Sequence, residues 1–346
     1  MCYPAAGFSG GFSFSFPGRG VNDPGAPVRL LHWEVNMSDD VILRAQDERI
    51  NWYPGHMARA RRKLAEQLSR VDVAVELCDA RIPRASRNPD LNELVKNKKR
   101  LLILNKADLA DEAQTRAWLG YFRAQGLDCM SFDSAKGRAK DVIRRIEQAA
   151  SEAVEKMAAR GVKKTVRVMI VGVPNVGKST FTNKVNGASI AKTGDRPGVT
   201  RNNQWVRITP YLELLDTPGL LWPRLDDQND ARALAFVGTI NDQVMDQQML
   251  AIWLLEALLA IRPEAVVQRF KLRDATLRGV ALLEEACRGR GWLMPGGVLD
   301  TDRGAAVILD EFRGGKLGRL TLQSAPAKKA ETSSALRAPS PEGKAE

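Results

Sequence analysis

Histidine and cysteine are scarce in this 346-residue sequence, with two of the first and four of the second. Cys2, Cys78, Cys129 and Cys287 lie far apart without CxxC spacing, which argues against a zinc ribbon or disulfide framework and fits a reducing compartment. Two histidines are too few for a histidine-rich metal site. Long apolar runs are missing as well. The most apolar helical stretch, Ala251 to Ile261, is interrupted by Glu256 and is too short for a hydrocarbon layer of roughly 30 Å, so no membrane span is expected. The leading residues, rich in Gly, Pro, Ser and Phe, carry neither the apolar core of a secretory signal nor an Arg-rich amphipathic presequence. A cytoplasmic protein is expected. Acidic residues are the minority among the charges, 41 against 52 Lys and Arg, and the excess of base favours a polyanionic partner such as RNA.

Short β-rich runs alternate with amphipathic helical stretches, the pattern of a mostly parallel α/β sheet with helices on both faces. The strands are expected at Val73 to Asp79, Arg100 to Asn105, Leu127 to Asp133, Val166 to Val173, Trp205 to Thr209 and Glu213 to Asp216. Asn88 and Pro89 suit the cap and first turn of a helix reaching Lys96, and helical spacing continues through Asp111 to Gln125 and Lys140 to Arg160. From about Asn229 helical patterning takes over, broken at Arg262-Pro263 and at Pro295-Gly296-Gly297. Four segments are expected. Residues 1–49 read as a disordered or overextended N-terminal extension, with Met37 a second possible start; residues 50–227 as a nucleotide-binding domain; residues 228–323 as a smaller all-helical C-terminal domain; and residues 324–346 as a solvated tail.

The run from Val166 leads into Gly172-Val173-Pro174-Asn175-Val176-Gly177-Lys178-Ser179-Thr180, matching G-x-x-x-x-G-K-[ST] between a strand and a helix. This is a phosphate-binding loop. Its glycines let backbone N–H groups turn toward phosphates, Lys178 sets a charge on the β and γ oxygens, and Ser179 offers a hydroxyl to Mg²⁺. Downstream, an apolar run ends in Asp216-Thr217-Pro218-Gly219. There a carboxylate at a strand end can hold Mg²⁺ through water, and the Gly219 N–H can reach the γ-phosphate. Thr200, in the segment Arg196-Pro197-Gly198-Val199-Thr200, is either the second Mg²⁺ hydroxyl or a plain loop threonine.

The base is read by Asn105-Lys106-Ala107-Asp108, which closes a strand. A carboxylate at Asp108 accepts from the N1–H and exocyclic amine of guanine, whereas adenine has no N1–H. Asn105 would pin the neighbouring loops and the Lys106 stem cover the base plane. Ser134 and Ala135, before Lys136, resemble the remaining base-contacting segment. GTP is therefore the expected substrate and GDP the product.

The base-reading motif lies ahead of the phosphate loop instead of behind it. In that order the chain resembles the circularly permuted GTPases, and among them those that assist assembly of the large (50S) ribosomal subunit. The similarity runs from about Ile50 to Leu322 and includes Trp52-Tyr53-Pro54-Gly55-His56-Met57, Asp79-Ala80-Arg81-Ile82-Pro83, Asn88-Pro89 and Gly315-Lys316-Leu317-Gly318-Arg319. Permutation is tolerable because the ends of such a fold lie close together.

The resemblance implies a P-loop GTPase fold, a catalytic histidine carried here by His56, a K⁺ ligand at Asn175, and rRNA and large-subunit particles as partners of a monomer. It also implies an RNA-facing helical module containing Trp292, Arg303, Lys316 and Arg319, although Trp292 itself reads better as core. Leu220 stands where many GTPases have a water-orienting glutamine, so intrinsic hydrolysis is expected to be slow. Three alternatives stay open. His56 is catalytic or an exposed, RNA-contacting residue, and Asn175 binds K⁺ or serves turn geometry. The run Arg59, Arg61, Arg62, Lys63 is a phosphate-contacting face or a solvated one. At the level of function, a GTP-dependent assembly factor competes with a stand-alone GTP-dependent switch acting on a protein.

Overall fold

A computed structural model of the chain describes residues 64–89, 91–187, 204–209, 211–216, 227–240 and 245–326, all within one compact unit spanning residues 49–346. Six strands form a single sheet: β1 (Val73–Asp79), β2 (Lys99–Asn105), β3 (Asp128–Ser131), β4 (Val166–Gly172), β5 (Gln204–Thr209) and β6 (Leu212–Asp216). Their spatial order is β3-β2-β1-β4-β6-β5, parallel throughout except that β5 runs antiparallel to β6 at the edge. β1 is buried along its whole length, as a strand covered on both faces must be.

Helices α1 (Leu91–Leu94), α2 (Glu112–Ala124), α3 (Ala139–Ala158) and α4 (Lys178–Asn186) accompany the sheet. Asp111 caps α2 by accepting from the Gln114 N–H at 2.8 Å, and Trp118 and Phe122 of that helix pack on Cys78, Leu102 and Leu104. On the same face, Leu91, Val95 and residues 64–68 cover Ala74, Met169 and Leu215. α3 returns the chain from β3 to β4, burying Val142, Ile146 and Ala150 at a spacing of one helical turn. The helix expected to reach Lys96 is only four residues long. The chain turns at Val95 to Lys98, where the Lys98 N–H donates to Val95 O and its ammonium to Val71 O at 2.8 Å, because β2 must start beside Val73.

The C-terminal part is helical, with α5 (Gln228–Phe236), α6 (Gln247–Ile261), α7 (Pro263–Phe270), α8 (Gly279–Arg290) and α9 (Thr301–Arg313). α6 buries Leu250 to Leu255, Leu258 and Leu259 and is packed by the other four. Pro263 opens α7 at the break foreseen there. The Pro295-Gly296-Gly297 turn closes a small hairpin, bridged between Leu293 and Leu299. Among the described residues no helix is long and apolar enough to cross a membrane. Trp292 is buried against Phe270, with Arg290 stacked on its ring. The chain then returns to the sheet: the Trp118 indole donates to Gln323 O at 2.8 Å, and Ala325 still packs against the apolar cluster that contains Trp118.

Candidate nucleotide-binding site

Chain direction locates the site. From β1 the chain moves outward to β2 and β3, and from β4 it crosses the opposite way, to β5 at the edge and back to β6 beside β4. Loops leaving two such strands at their carboxyl ends diverge and open a crevice between them. Residues 173–177 leave β4 at that point, beside the end of β1. The strands approach so closely that a Cβ on Gly172 would lie 2.5 Å from Leu77 O, so the position requires glycine.

Two residues of the loop have left-handed backbone, Asn175 at φ 59° and Gly177 at φ 95°. For a side-chain-bearing residue this conformation costs about 1–2 kcal/mol, and Asn175 is held in it from both sides. Its Nδ2 donates to Gly238 O at 2.6 Å, and its carbonyl accepts from Lys106 Nζ at 2.7 Å. Pro174 O accepts from the buried Thr239 hydroxyl at 3.2 Å. The Lys178 ammonium lies within the loop, donating to Gly172 O at 3.1 Å and Val173 O at 2.9 Å. A phosphate there would offer it charged acceptors in place of neutral carbonyls. Asp residues cap α2, α5, α6 and α9, but no side chain caps α4, whose first turn holds Ser179 and the exposed Thr180. A helix N-terminus without a side-chain cap suits an anion.

Asn105 joins three loops. Its Nδ2 donates to Val176 O at 2.8 Å and its Oδ1 accepts from the Ser134 hydroxyl at 2.7 Å, so the phosphate loop, the base-reading loop and the segment of Ser134 and Ala135 converge on one buried side chain. Asp108 is exposed in the turn that follows. Asp133, which sequence reasoning did not single out, shapes the third loop by accepting from the N–H groups of Ala135 and Lys136. A Cβ on Gly177 would stand 2.6 Å from Asn105 Nδ2. Gly177→Ala therefore combines backbone strain with displacement of Asn105. We expect a loss of at least about 2 kcal/mol in chemical denaturation together with weaker GDP binding, whereas wild-type values for both would refute this account of the loop.

Two further groups lie against these loops. Asp79 and Arg81, both buried, form a bidentate pair, Nε to Oδ1 at 2.9 Å and Nη2 to Oδ2 at 2.8 Å. Lys106 reaches Asp79 Oδ2 at 3.2 Å. Burial would raise the Asp79 carboxyl, but Arg81 and then Lys106 outweigh it and hold the group well below the usual carboxylate range. Burial pulls the Lys106 ammonium down, against the opposing pull of Asp79. Arg319, expected in an RNA-facing module, donates to Ala110 O at 2.8 Å and Ala107 O at 3.1 Å. With the Leu320 N–H bonded to Leu109 O, it clamps the base-reading loop. Nothing in local spacing could reveal a contact between residues so distant in sequence.

His56, Thr200 and Gly219 lie outside the described residues. Asp216 ends β6 and pairs in register with Ile170 of β4, so its backbone sits one strand away from the start of the phosphate loop. A hydroxyl on α4 and a carboxylate on the adjoining strand end are hard oxygen donors, a set that fits Mg²⁺.

The family described as "50S ribosome-binding GTPase" matches residues 167–273. Ribosome biogenesis GTPase A of Bacillus cereus is 42% identical over 277 residues, covering 80% of this chain and 94% of its own. Two structures of YlqF, one GDP-bound and the other GNP-bound and from T. maritima, superpose with TM-scores of 0.58 and 0.56 at 26% identity. They cover 76% and 77% of this chain and 98% of their own. The circular order of the motifs, the phosphate loop at the sheet's switch point and the identity sustained over most of both chains lead to one conclusion: this chain belongs to the ribosome biogenesis GTPase A family.

Proposed function

We propose that this chain hydrolyses GTP slowly as an assembly factor of the large (50S) ribosomal subunit, docking on the precursor and its rRNA with GTP bound and leaving after hydrolysis. The observation that carries the reading is the convergence of three loops on Asn105, which ties guanine recognition to the phosphate loop. Residues 50–227 form the GTPase domain, residues 228–323 the ribosome-facing helical one. Gly172, Pro174 to Thr180 and Gly219 hold the phosphates; Asn105, Lys106, Asp108, Ser134 and Ala135 hold the guanine. Ser179, Thr200 and Asp216 would hold Mg²⁺, which when bound neutralises charge developing on the β and γ oxygens. Asn175 takes K⁺, and His56 orients the attacking water. The protein acts as a monomer in the cytoplasm.

The charge balance supports RNA contact through the GTPase half. Residues 228–323 carry 12 basic and 12 acidic side chains, whereas residues 50–227 carry 32 and 20. Phosphate contacts depend on such an excess and weaken with salt.

One experiment tests the reading: GTP turnover of the full chain in K⁺ or Na⁺ buffer, with and without 50S particles, for wild type and His56→Ala. We expect stimulation by particles in K⁺, and a His56→Ala loss of about 10²-fold or more in the stimulated rate. Particles that neither bind the GTP-loaded chain nor speed its turnover would overturn the assembly role. Equal rates in K⁺ and Na⁺ would remove the K⁺ site, and an undiminished variant would remove the catalytic role of His56.

A further inference from the structure

Arg313, the last residue of α9, lies far from the phosphate loop in sequence yet connects to it by two routes. Along the first, its guanidinium donates to the final carbonyls of α5, Phe236 O at 3.0 Å and Ala235 O at 2.9 Å. α5 closes there on Gly238, at φ 76°, with Gly238 N–H bonded to Ala235 O and Thr239 N–H to Leu234 O. A Cβ on Gly238 would stand 3.3 Å from Arg313 Nε, so the side chain packs directly over the turn. That same turn presents Gly238 O to the Asn175 amide and the Thr239 hydroxyl to Pro174 O. Along the second route, Arg313 O accepts from Arg81 Nη1 at 3.3 Å, with the Arg81 guanidinium over the Phe312 ring. Arg81 grips Asp79, Asp79 pairs with Lys106, and Lys106 donates to Asn175 O.

Both arms end on Asn175, the strained residue of the loop, one at its side chain and the other at its carbonyl. The ring of contacts is closed: moving the end of α9 relative to the sheet must break or bend a member of it. We propose that Arg313 is a positioning residue for GTP hydrolysis, holding the phosphate loop in its working conformation through the α5 turn, so that the helical part governs turnover. The proposal rests on the GTPase reading above. It also gives a docking partner a route to the chemistry that requires no contact with the nucleotide, since displacement of α9 would release Asn175.

The test is the single-turnover rate of bound GTP in the full chain, a quantity that misfolded molecules do not dilute. Arg313→Ala should slow it about tenfold, in line with the penalty for small misplacements of reacting groups, while GDP still binds one per chain. Because Arg313 acts through Asn175, the double variant Arg313→Ala/Asn175→Ala should turn over no more slowly than Asn175→Ala alone. A merely structural arginine would give additive losses instead. Thr239→Val, which removes only the hydroxyl donated to Pro174, should slow turnover in the same direction and decides the matter if Arg313→Ala does not fold. Unchanged single-turnover rates in these variants, or additive losses in the double variant, overturn the proposal. Absence of GTP hydrolysis by the wild type would instead fault the underlying reading.

Discussion

Asparagine in place of Asp108 is expected to weaken GTP binding by about 10⁴-fold, the discrimination reached when a site built on hydrogen bonds loses its match. In the proposed role the carboxylate would accept from two guanine donors, the N1–H and the exocyclic amine. An asparagine amide can accept at one position only and turns an N–H toward the amine, leaving donor against donor in a desolvated contact. The same substitution should raise affinity for a xanthine nucleotide, whose second carbonyl accepts where guanine donates. Asp108 is exposed, in a turn held from behind by Arg319 and Leu320, so the change should leave the fold intact. Competition binding with GTP and XTP reads the result. An Asp108→Asn protein that retains GTP within tenfold of wild type would show that the base is read elsewhere.

Asp79→Ala should destabilise the chain by about 3–5 kcal/mol, because it strands the buried Arg81 guanidinium without its counter-ion. The exposed pair of Lys99 and Glu152 is the natural control, and its removal should barely move the denaturant midpoint. Denaturant midpoints compare the two, and equal losses would show that burial does not distinguish them. The acid side follows from the same pair. The folded-state carboxyl titrates below its unfolded value, near 4. Its contribution is therefore fully present above that value and is lost as pH falls through the depressed folded one. In Asp79→Ala this part of the acid sensitivity should disappear.

The strands, the phosphate loop and the guanine motif were legible because each is local. A continuously apolar run means a buried parallel strand, and glycine, lysine and serine at fixed spacing mean a loop that fits phosphate. Observed and expected strands differ by a residue or two at their ends, where hydrogen bonding and not composition decides. α1 was overestimated, since Asn88 and Pro89 signal where a helix starts but not that the chain must turn at Val95 to bring Lys99 beside Val73. Illegible from spacing were the contacts joining remote segments: Arg81 with Arg313, Asn175 with Gly238, and Arg319 with the Ala107 and Ala110 carbonyls. Arg319 was legible as part of the Gly315-to-Arg319 motif and as a candidate RNA contact, though not as a clamp, and Asp79 and Arg81 only as a motif without a reason. Asp79 and Arg81 bond each other two residues apart, but Lys106, Arg313 and the carbonyls that Arg319 grips lie far off in sequence, beyond any periodicity.

The position of β1 at the centre of the sheet bears on how the chain is made. Among the described strands it is synthesised first, yet it is flanked by β2 and β4. The base-reading half can thus assemble as it leaves the ribosome, with one side of β1 bare until Val166 to Gly172 emerges. At roughly 5–20 residues per second that edge stays open for some seconds, and an open edge invites wrong pairing. The clamp of Arg319 on the guanine loop and the seal of Gln323 over Trp118 come later still. Vectorial synthesis therefore delays a complete nucleotide pocket until nearly the whole protein has been translated, so that truncated products are born without it.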